Sequence, residues 1–162
     1  MAEFLTKKVV GEELERIICQ ASIRIILISP YLQVSEEYME RLGDAARRGV
    51  QISVIFRENK VPSAQLIDLE RLPRIGLRCL NNLHAKCYSN ESRILLSPMN
   101  LYEHSELHNI EMGILLDPVQ DLETFNRASA EIDTIRNRAV KFNSAISKET
   151  TLYAQKREPN RG

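Results

Sequence analysis

The spacing of apolar residues divides the first part of the chain into segments with a helical period and segments with a strand-like composition. Residues 11–22 carry apolar side chains three or four positions apart, which is typical of a helix with one buried stripe. Residues 23–28 are nearly all apolar and rich in β-branched side chains, which indicates a strand buried on both faces, and residues 50–56 are predicted to form a second strand. Between them, Ser35 is a suitable N-cap and Gly49 a suitable left-handed residue for the end of a second helix.

A strand, a helix and a strand with short connections predict a βαβ unit, so the sheet is expected to begin with parallel strands. The remaining predicted elements are, in chain order, a short helix between Pro62 and Pro73, a strand over 75–80, a hairpin with arms at 84–89 and 93–97, a strand over 109–116, and a long helix from Asp117 to about Phe142. The hairpin brings antiparallel pairing into the sheet. We therefore predict an α/β fold with a mixed, mostly parallel sheet that is flanked by helices on both faces.

Chain length and charge limit the possible classes of protein. The 162 residues suffice for one domain with its own core, which we expect over 1–146, and the polar composition of 147–162 predicts a frayed tail. The 22 Lys and Arg residues balance 22 Asp and Glu residues, so the chain lacks the overall basic charge typical of nucleic-acid-binding proteins. The segment 47–93 is more basic and the segment 100–135 more acidic, although such runs are usually the solvated faces of helices.

The cysteines and the amino terminus indicate a cytoplasmic protein. Cys19, Cys79 and Cys87 are an odd number without C-x-x-C spacing, which argues against a disulfide framework and against a thiolate zinc site. The first residues lack the apolar core of a signal peptide, and no run approaches the roughly 20 apolar residues of a membrane span.

The polar residues best suited to chemistry lie between residues 83 and 112. In a strand, His84 and Lys86 would project from the same face. Both side chains donate hydrogen bonds when charged and neither satisfies the other, so the pair suits a bound anion, which we expect to be a phosphate. Elsewhere, Tyr31 and Arg57 follow predicted parallel strands, and ligands collect at the carboxyl ends of such strands.

Four further polar residues of this region are interpreted from their local sequence. Ser105 either lines a phosphate pocket or caps a turn. His104 and His108 are interpreted as loop residues that flank the site. Glu111 stands in an apolar strand segment, where burial against a hydrogen-bond donor is expected rather than a surface ion pair.

The run that starts at His84 resembles the signature of the phospholipase D superfamily, H-x-K-x4-D-x6-G-S-x-N, which is followed by N-x-E in a later strand. The matching segments are His84-Ala85-Lys86, Asn100 and Asn109-Ile110-Glu111. Asn90 or Glu91 stands in place of the Asp, at the predicted hairpin tip, and Ser97-Pro98 stands in place of Gly-Ser. The segments ILISPYL and ARRGVQISVIF also resemble the family, so the likeness covers most of residues 12–117.

This resemblance implies a phospholipase D-like αβα sandwich and a phosphodiesterase that needs neither a metal ion nor another cofactor. In the family two H-x-K motifs build one active site, so a chain with a single motif implies a homodimer. His84 would attack phosphorus, and the partner subunit's His84 would protonate the leaving group. Lys86 and Asn100 would hold the phosphate oxygens, and Glu111 would fix the tautomer of His84. The residues expected to contact the substrate are Ser97, Ser105, Tyr31 and Arg57.

The first functional hypothesis is a metal-independent nuclease that cleaves DNA or RNA through a phosphohistidine on His84. The basic segment 47–93 suits a polyanion, and the sequence has no amphipathic, Lys- and Arg-rich helix that would dock on a membrane. The alternative is a catalytically inactive relative that binds nucleic acid or a protein partner, which Ser97-Pro98 favours. A third and weaker hypothesis is an unrelated βαβ regulatory domain, which would be a monomer.

Overall fold

A computed structural model of the chain describes residues 2–58, 60–102 and 110–143. The strands are β1 (Glu3–Thr6), β2 (Arg24–Ile28), β3 (Leu32–Gln33), β4 (Gln51–Phe56), β5 (Ile75–Cys79), β6 (Cys87–Asn90), β7 (Ile94–Leu96), β8 (Leu101–Tyr102), β9 (Met112–Leu116) and β10 (Val140–Lys141). The helices are α1 (Lys7–Cys19), α2 (Glu36–Arg47), α3 (Ser63–Glu70) and α4 (Leu122–Arg138). No helix among these residues is long and apolar enough to cross a membrane.

The central sheet is mixed, as the sequence predicts. It has eight strands in the order β1-β9-β7-β6-β2-β4-β5-β10, and β3 and β8 form a separate pair. The neighbours β2, β4 and β5 are parallel, which confirms the predicted βαβ start. The other pairings of this sheet are antiparallel, so the sheet is mostly antiparallel rather than mostly parallel. A parallel pair needs a long crossover connection, and the turn between β6 and β7 is too short to contain one.

Helices cover both faces of the sheet, which confirms the predicted layers. Successive residues of a strand point to opposite faces. Ile25 and Leu27 of β2 therefore join a core with α1, α2 and α3, whereas Ile26 and Ile28 join a second core with α4. Each fully buried aliphatic side chain contributes roughly 1.5–3 kcal/mol to the stability of this arrangement.

One edge of the sheet collects the residues that the motif singles out. The parallel strands β2, β4 and β5 all end there, and we call it the carboxyl edge. Cys87 pairs with Ile28, so the amino end of β6 lies beside the carboxyl end of β2. Leu96, at the end of β7, pairs with Ile114 of β9, so the amino end of β9 lies at this edge too.

Contacts at the opposite edge fix the sheet between its helices. Arg93 Nη1 lies 2.8 Å from Glu13 Oε2 of α1, and the Glu13 side chain is only 3% exposed. Arg24 Nη1 of β2 lies 3.2 Å from Asp133 Oδ1 of α4. The two ion pairs join opposite faces of the sheet to the helices that cover them.

The strands near the motif are shorter than predicted. β6 begins at Cys87, so His84 and Lys86 lie in an irregular segment before the strand. The side chain of Leu83 is buried in the second core and anchors this segment. β9 likewise begins one residue after Glu111, which therefore precedes its strand.

The ends of the chain add elements that the sequence pattern does not predict. β1 pairs antiparallel with β9 before α1 begins. The long helix starts later than predicted, at Leu122, because Asp121 accepts a hydrogen bond from Thr124 N at 3.0 Å and caps it. It ends at Arg138, and β10 then pairs with β5. The tail predicted over 147–162 lies outside the described residues.

Candidate active site

The four residues predicted to be catalytic are placed at the carboxyl edge. His84 is exposed and Lys86 half-buried in the segment before β6. Asn100 follows β7 and Glu111 precedes β9, and both are half-buried. Within the described part of the chain no hydrogen bond joins His84 to Lys86 or Glu111, so these side chains keep their donors and acceptors for a ligand.

Hydrogen bonds fix the backbone before Asn100. Ser97 Oγ accepts a hydrogen bond from Met99 N at 3.2 Å and donates one to Met112 O at 3.1 Å. The hydroxyl of Tyr88, which is fully buried, donates to Met99 O at 2.7 Å. The end of β7 is thereby tied both to β6 and to β9.

The backbone after Asn100 is held by Ser29, which is fully buried at the end of β2. Ser29 Oγ accepts a hydrogen bond from Leu101 N at 3.2 Å and donates one to Tyr31 O at 2.5 Å. Leu101 also pairs with Leu32 in the small parallel ladder. Ser29 is not among the residues predicted from the sequence, although a single hydroxyl residue at the end of an apolar run is a signal that points to it.

The amide of Asn100 is left available by this arrangement. Its Oδ1 atom is buried and has no hydrogen-bond partner among the described residues. A buried polar atom without a partner costs about 1–3 kcal/mol, and few such atoms occur in native proteins. The fold therefore fixes the position of this side chain without forming a hydrogen bond to its oxygen, as expected for a ligand-binding group.

Tyr31 and Arg57, which like Ser97 are predicted to contact the substrate, lie at the carboxyl edge. Tyr31 follows β2 and Arg57 follows β4, as the sequence predicts. Tyr31 is 41% exposed, and Lys60 Nζ lies 5.9 Å from the centroid of its ring. Arg57 N donates to Pro30 O at 3.2 Å, which joins the two loops. Of the residues singled out from the sequence, His104, Ser105, His108 and Asn109 lie outside the described residues.

A cavity of about 470 Å³ lies beside Glu111, between the amino end of α1 and α2. Lys7 and Lys8 line it, and neither forms an ion pair with a described residue. Arg41 also lines the cavity, but its guanidinium pairs with two glutamates of α1 and α2 at 2.9 and 2.6 Å. The two lysines were missed in the sequence because their position depends on the pairing of β1 with β9.

The buried thiol and phenol of β6 are kept neutral. Burial raises the pKa of the Cys87 thiol to about 12. Burial also raises the pKa of the Tyr88 hydroxyl, which therefore stays a hydrogen-bond donor. A neutral buried thiol is a poor nucleophile, so the exposed imidazole of His84 is the better candidate at this edge.

Comparison with known proteins identifies the family. The family model described as cardiolipin synthase, PLD-like domain, matches residues 14–135. The chain belongs to the phospholipase D-like family. No curated protein sequence matches this phospholipase D-like chain.

Solved structures share the phospholipase D-like fold at low sequence identity. NucT from Helicobacter pylori is 17% identical with a TM-score of 0.74, over 88% of this chain and 99% of that one. Nuc from Salmonella typhimurium, a phospholipase D family member, is 16% identical with a TM-score of 0.68, over 88% of this chain and 98% of that one. TrmBL2, an archaeal chromatin protein with a novel mode of DNA binding, is 14% identical with a TM-score of 0.62, over 87% of this chain and 54% of that one.

The residues that replace the Asp of the phospholipase D motif lie at the opposite edge of the sheet from His84. Asn90 Oδ1 accepts a hydrogen bond from Arg93 N at 2.9 Å and closes the turn. The Glu91 carboxylate accepts hydrogen bonds from Ser22 N at 2.7 Å and from the next two backbone amides at 3.3 Å. Partial burial alone would raise the pKa of Glu91, but these backbone hydrogen bonds outweigh it and lower the pKa. Both residues therefore stabilise the hairpin and do not contribute to the ligand site.

The replacement of Gly-Ser in the phospholipase D motif does affect the carboxyl edge. Pro98 is exposed and has no N–H. Ser97 is 6% exposed and directs its only proton to Met112 O. In this conformation neither side chain has a proton to donate to a ligand.

Proposed function

We propose that this protein is a metal-independent phosphodiesterase, a nuclease that cleaves DNA or RNA in an active site shared by two copies of the chain. The observation that carries the proposal is that the carboxyl edge contains both an exposed imidazole, His84, and an amide, Asn100, whose buried oxygen has no partner among the described residues. The fold fixes the backbone on both sides of this amide. Pre-positioned groups that the fold itself does not use are typical of sites that bind a reacting group.

The proposed reaction has two steps with balanced proton transfer. In the first, neutral His84 attacks phosphorus, a P–N bond forms, and the P–O bond to the leaving alkoxide breaks while the partner subunit's His84 gives that oxygen its proton. In the second, the partner's His84 takes a proton from water, the water oxygen attacks phosphorus, and the P–N bond breaks. The products are an alcohol and a phosphomonoester, and both imidazoles return to their starting states.

The other residues of the carboxyl edge have supporting roles in this proposal. Lys86 supplies positive charge and the Asn100 Nδ2 group donates a hydrogen bond to the phosphate oxygens, whose charge grows in the transition state. Glu111 accepts the second ring N–H of His84 and so keeps the attacking nitrogen unprotonated. Tyr31 and Arg57 contact the nucleic-acid strand on either side of the cleaved phosphate.

Nucleic acid is the proposed substrate because of the charges near Glu111. Lys7 and Lys8 line the adjacent cavity without ion-pair partners among the described residues, and they suit the neighbouring phosphates of a polymer. The DNA-binding chromatin protein TrmBL2 has the same fold, which supports the same class of ligand.

The test is cleavage of plasmid and oligonucleotide substrates in EDTA by wild type and by His84→Ala. We expect the substitution to reduce cleavage by more than about 10³-fold, because it removes both the nucleophile and the acid. Wild type quenched during turnover should also carry a phosphate adduct that is labile to acid and stable to base, and His84→Ala should not. His104→Ala is the matched control and should behave as wild type. Cleavage that requires added metal, or that survives His84→Ala, would refute the proposal.

A second candidate function is a catalytically inactive module that binds nucleic acid or a protein. The observation in its favour is that the side chains of Ser97 and Pro98 offer no donor where the family has Gly-Ser. This alternative predicts oligonucleotide binding without cleavage at any protein concentration, and equal binding by wild type and His84→Ala.

A further inference from the structure

A second cavity, of about 690 Å³, lies at the carboxyl edge where β4, β5 and the edge strand β10 meet. We call it the β10 cavity. Its polar lining residues are Glu58, Asn81 and Asn82 from the loops after β4 and β5, and Arg138 and Lys141 from the end of α4 and from β10. Small-molecule sites have volumes of roughly 300–1,000 Å³, so this cavity is large enough for the base and sugar of a nucleotide.

The β10 cavity adjoins the proposed active site. Asn82 precedes His84 by two residues, so their Cα atoms lie at most roughly 7 Å apart. The backbone before His84 is fixed, because Leu83 N donates to Leu80 O at 3.1 Å and the Leu83 side chain is buried in the second core. Leu80 N in turn donates to Phe56 O of β4 at 2.9 Å. A nucleotide joined to a phosphate at His84 can therefore reach this cavity.

One wall of the β10 cavity is apolar and includes an aromatic ring. Phe142 is half-buried, and its ring packs edge-on against Phe56 with the two centroids 5.3 Å apart. Phe142 N donates to Leu77 O at 2.9 Å, which fixes the residue against β5. Leu80 and Val140 line the cavity beside it. An aromatic ring that is fixed in place and open to a cavity is suited to stacking on a base.

The polar side chains of the β10 cavity are available to a ligand. Within the described residues, the side chains of Glu58, Asn81 and Asn82 form no hydrogen bond or ion pair. A carboxylate only accepts hydrogen bonds, whereas a side-chain amide both donates and accepts them. The edge of a base offers the matching groups, because an exocyclic amino group suits a carboxylate, as in the contact of Glu with cytosine N4. Thymine and uracil have no amino group, so they suit this lining less well.

The charges at the β10 cavity favour a nucleotide over a free phosphate. The Glu58 carboxylate would repel an anion placed beside the two amides. Arg138 and Lys141 form no ion pair with a residue that the structure describes, and they line the cavity from a different element. These cations suit a phosphate that is attached to the base through its sugar. The lining thus offers separate places for a base and for a phosphate.

We infer that the β10 cavity binds the base of the nucleotide next to the cleaved phosphate and prefers bases with an amino group, an inference that rests on the proposed function. Phe142 stacks on the base, and Glu58 accepts a hydrogen bond from its amino group. Asn81 and Asn82 donate to the ring nitrogen or carbonyl oxygen beside that group. The two cations of the cavity contact the next phosphate of the strand.

Alkylation of Cys79 by iodoacetamide gives a test that does not depend on cleavage. Cys79 lines the cavity, whereas Cys19 is exposed at the end of α1, just before the amino end of β2 at the opposite edge of the sheet. Because burial raises the pKa of the Cys79 thiol, the reaction is run at about pH 9. Peptide mass spectrometry follows both cysteines of the His84→Ala protein with and without short oligo(dC), oligo(dT) or inorganic phosphate.

Oligo(dC) should slow the alkylation of Cys79 by at least about fivefold at a concentration at which oligo(dT) slows it by less than about twofold, because only cytosine satisfies the carboxylate. Cys19 is the internal control and should react at the same rate throughout. Equal protection by the two oligonucleotides, or protection by inorganic phosphate, would indicate a phosphate site and overturn the inference. Protection by neither oligonucleotide would also overturn it.

Glu58→Gln tests the base preference in cleavage, and its matched control is Glu40→Gln, which removes the same charge from an exposed position of α2 outside the cavity. Wild type and the control should cleave oligo(dC) with a kcat/KM at least roughly 10-fold above that for oligo(dT), and Glu58→Gln should lose most of this ratio. Wild type without a preference, or a preference that survives Glu58→Gln, would overturn the inference while His84-dependent cleavage still stands. Cleavage that survives His84→Ala would refute the proposed function, whereas protection of Cys79 by oligo(dC) alone would still support the base site.

Discussion

Replacing Tyr88 with Phe removes one hydroxyl group from beneath the proposed active site and leaves the buried ring in place. That hydroxyl donates to Met99 O at 2.7 Å, one residue before Asn100. Because burial raises the pKa of Tyr88, the group is a donor throughout the range of pH in which the protein would be studied. The substitution therefore tests whether the backbone before Asn100 is held by this bond.

The structure sets the expected size of the effect. Met99 is 4% exposed, so its carbonyl cannot replace the lost donor with bulk water. An unsatisfied buried acceptor costs about 1–3 kcal/mol, and no cavity is added because the ring remains. We expect Tyr88→Phe to lower the free energy of unfolding by that amount. We also expect kcat/KM to fall by roughly 10- to 100-fold, because a small displacement of a positioned group has effects of this order.

The assay is urea unfolding followed by circular dichroism, together with cleavage kinetics on one oligonucleotide. Thr134→Val is the matched control, because the Thr134 hydroxyl also donates to a backbone carbonyl, Ala130 O at 2.9 Å, but on an exposed helix face. Its loss should change stability by less than about 0.5 kcal/mol and leave activity intact. If Tyr88→Phe is no more destabilising than Thr134→Val and cleaves at the wild-type rate, the hydroxyl does not hold the site.

Two further predictions concern the scaffold. Glu91 has a lowered pKa in the folded state, so the stability it contributes is present above the unfolded pKa near 4.5 and is lost as the pH falls through the folded pKa. Glu91→Gln should therefore be less stable than wild type at pH 7. Urea unfolding at several pH values should show that the difference in free energy of unfolding between the two proteins shrinks on acidification. Gly113→Ala should lower the free energy of unfolding, measured in urea, by about 1–3 kcal/mol, because a Cβ there would lie 3.1 Å from Leu96 O. The control is Gly76→Ala, whose Cβ would lie 3.8 Å from Ile52 O and which should be neutral or slightly stabilising.

The elements with strong local signals could be predicted from the sequence. Ser35 caps α2 by accepting a hydrogen bond from Tyr38 N at 3.3 Å, and Gly49 has a φ of 92°, as the sequence pattern indicates. The buried strands β2 and β4 fall within the predicted apolar runs. Each of these features depends on residues within a few positions of one another, so the sequence contains the necessary information.

The short strands could not be predicted in this way. β10 has two residues, Val140 and Lys141, within a segment whose spacing of apolar residues predicts a continued helix. Its existence depends on pairing with Arg78 and Cys79 of β5, far away in the chain. β1 depends in the same way on β9. Two- to four-residue strands have too little periodicity to be distinguished from their surroundings.

The candidate site shows the same division. The motif identifies residues by their spacing, so it could predict His84 and Asn100 as candidates. It could not identify Ser29 or Tyr88, whose hydrogen bonds hold the backbone on either side of Asn100. Ser29 contacts Leu101 across 72 positions of sequence, and the pairings of β2 with β6 and of β3 with β8 bring the two segments together.

The departures from the family motif can be separated by the edge of the sheet at which they lie. Asn90 and Glu91 close a turn at the edge opposite to His84, so a shorter or altered turn there leaves the two strand ends of the site in place. Ser97-Pro98 lies at the carboxyl edge, and its side chains offer a ligand no donor. In the proposed mechanism the phosphate oxygens must then rely on Lys86 and the Asn100 amide of each subunit. A site that has lost one donor of its own depends more strongly on those that its partner brings, so the activity of this chain should be unusually sensitive to dilution.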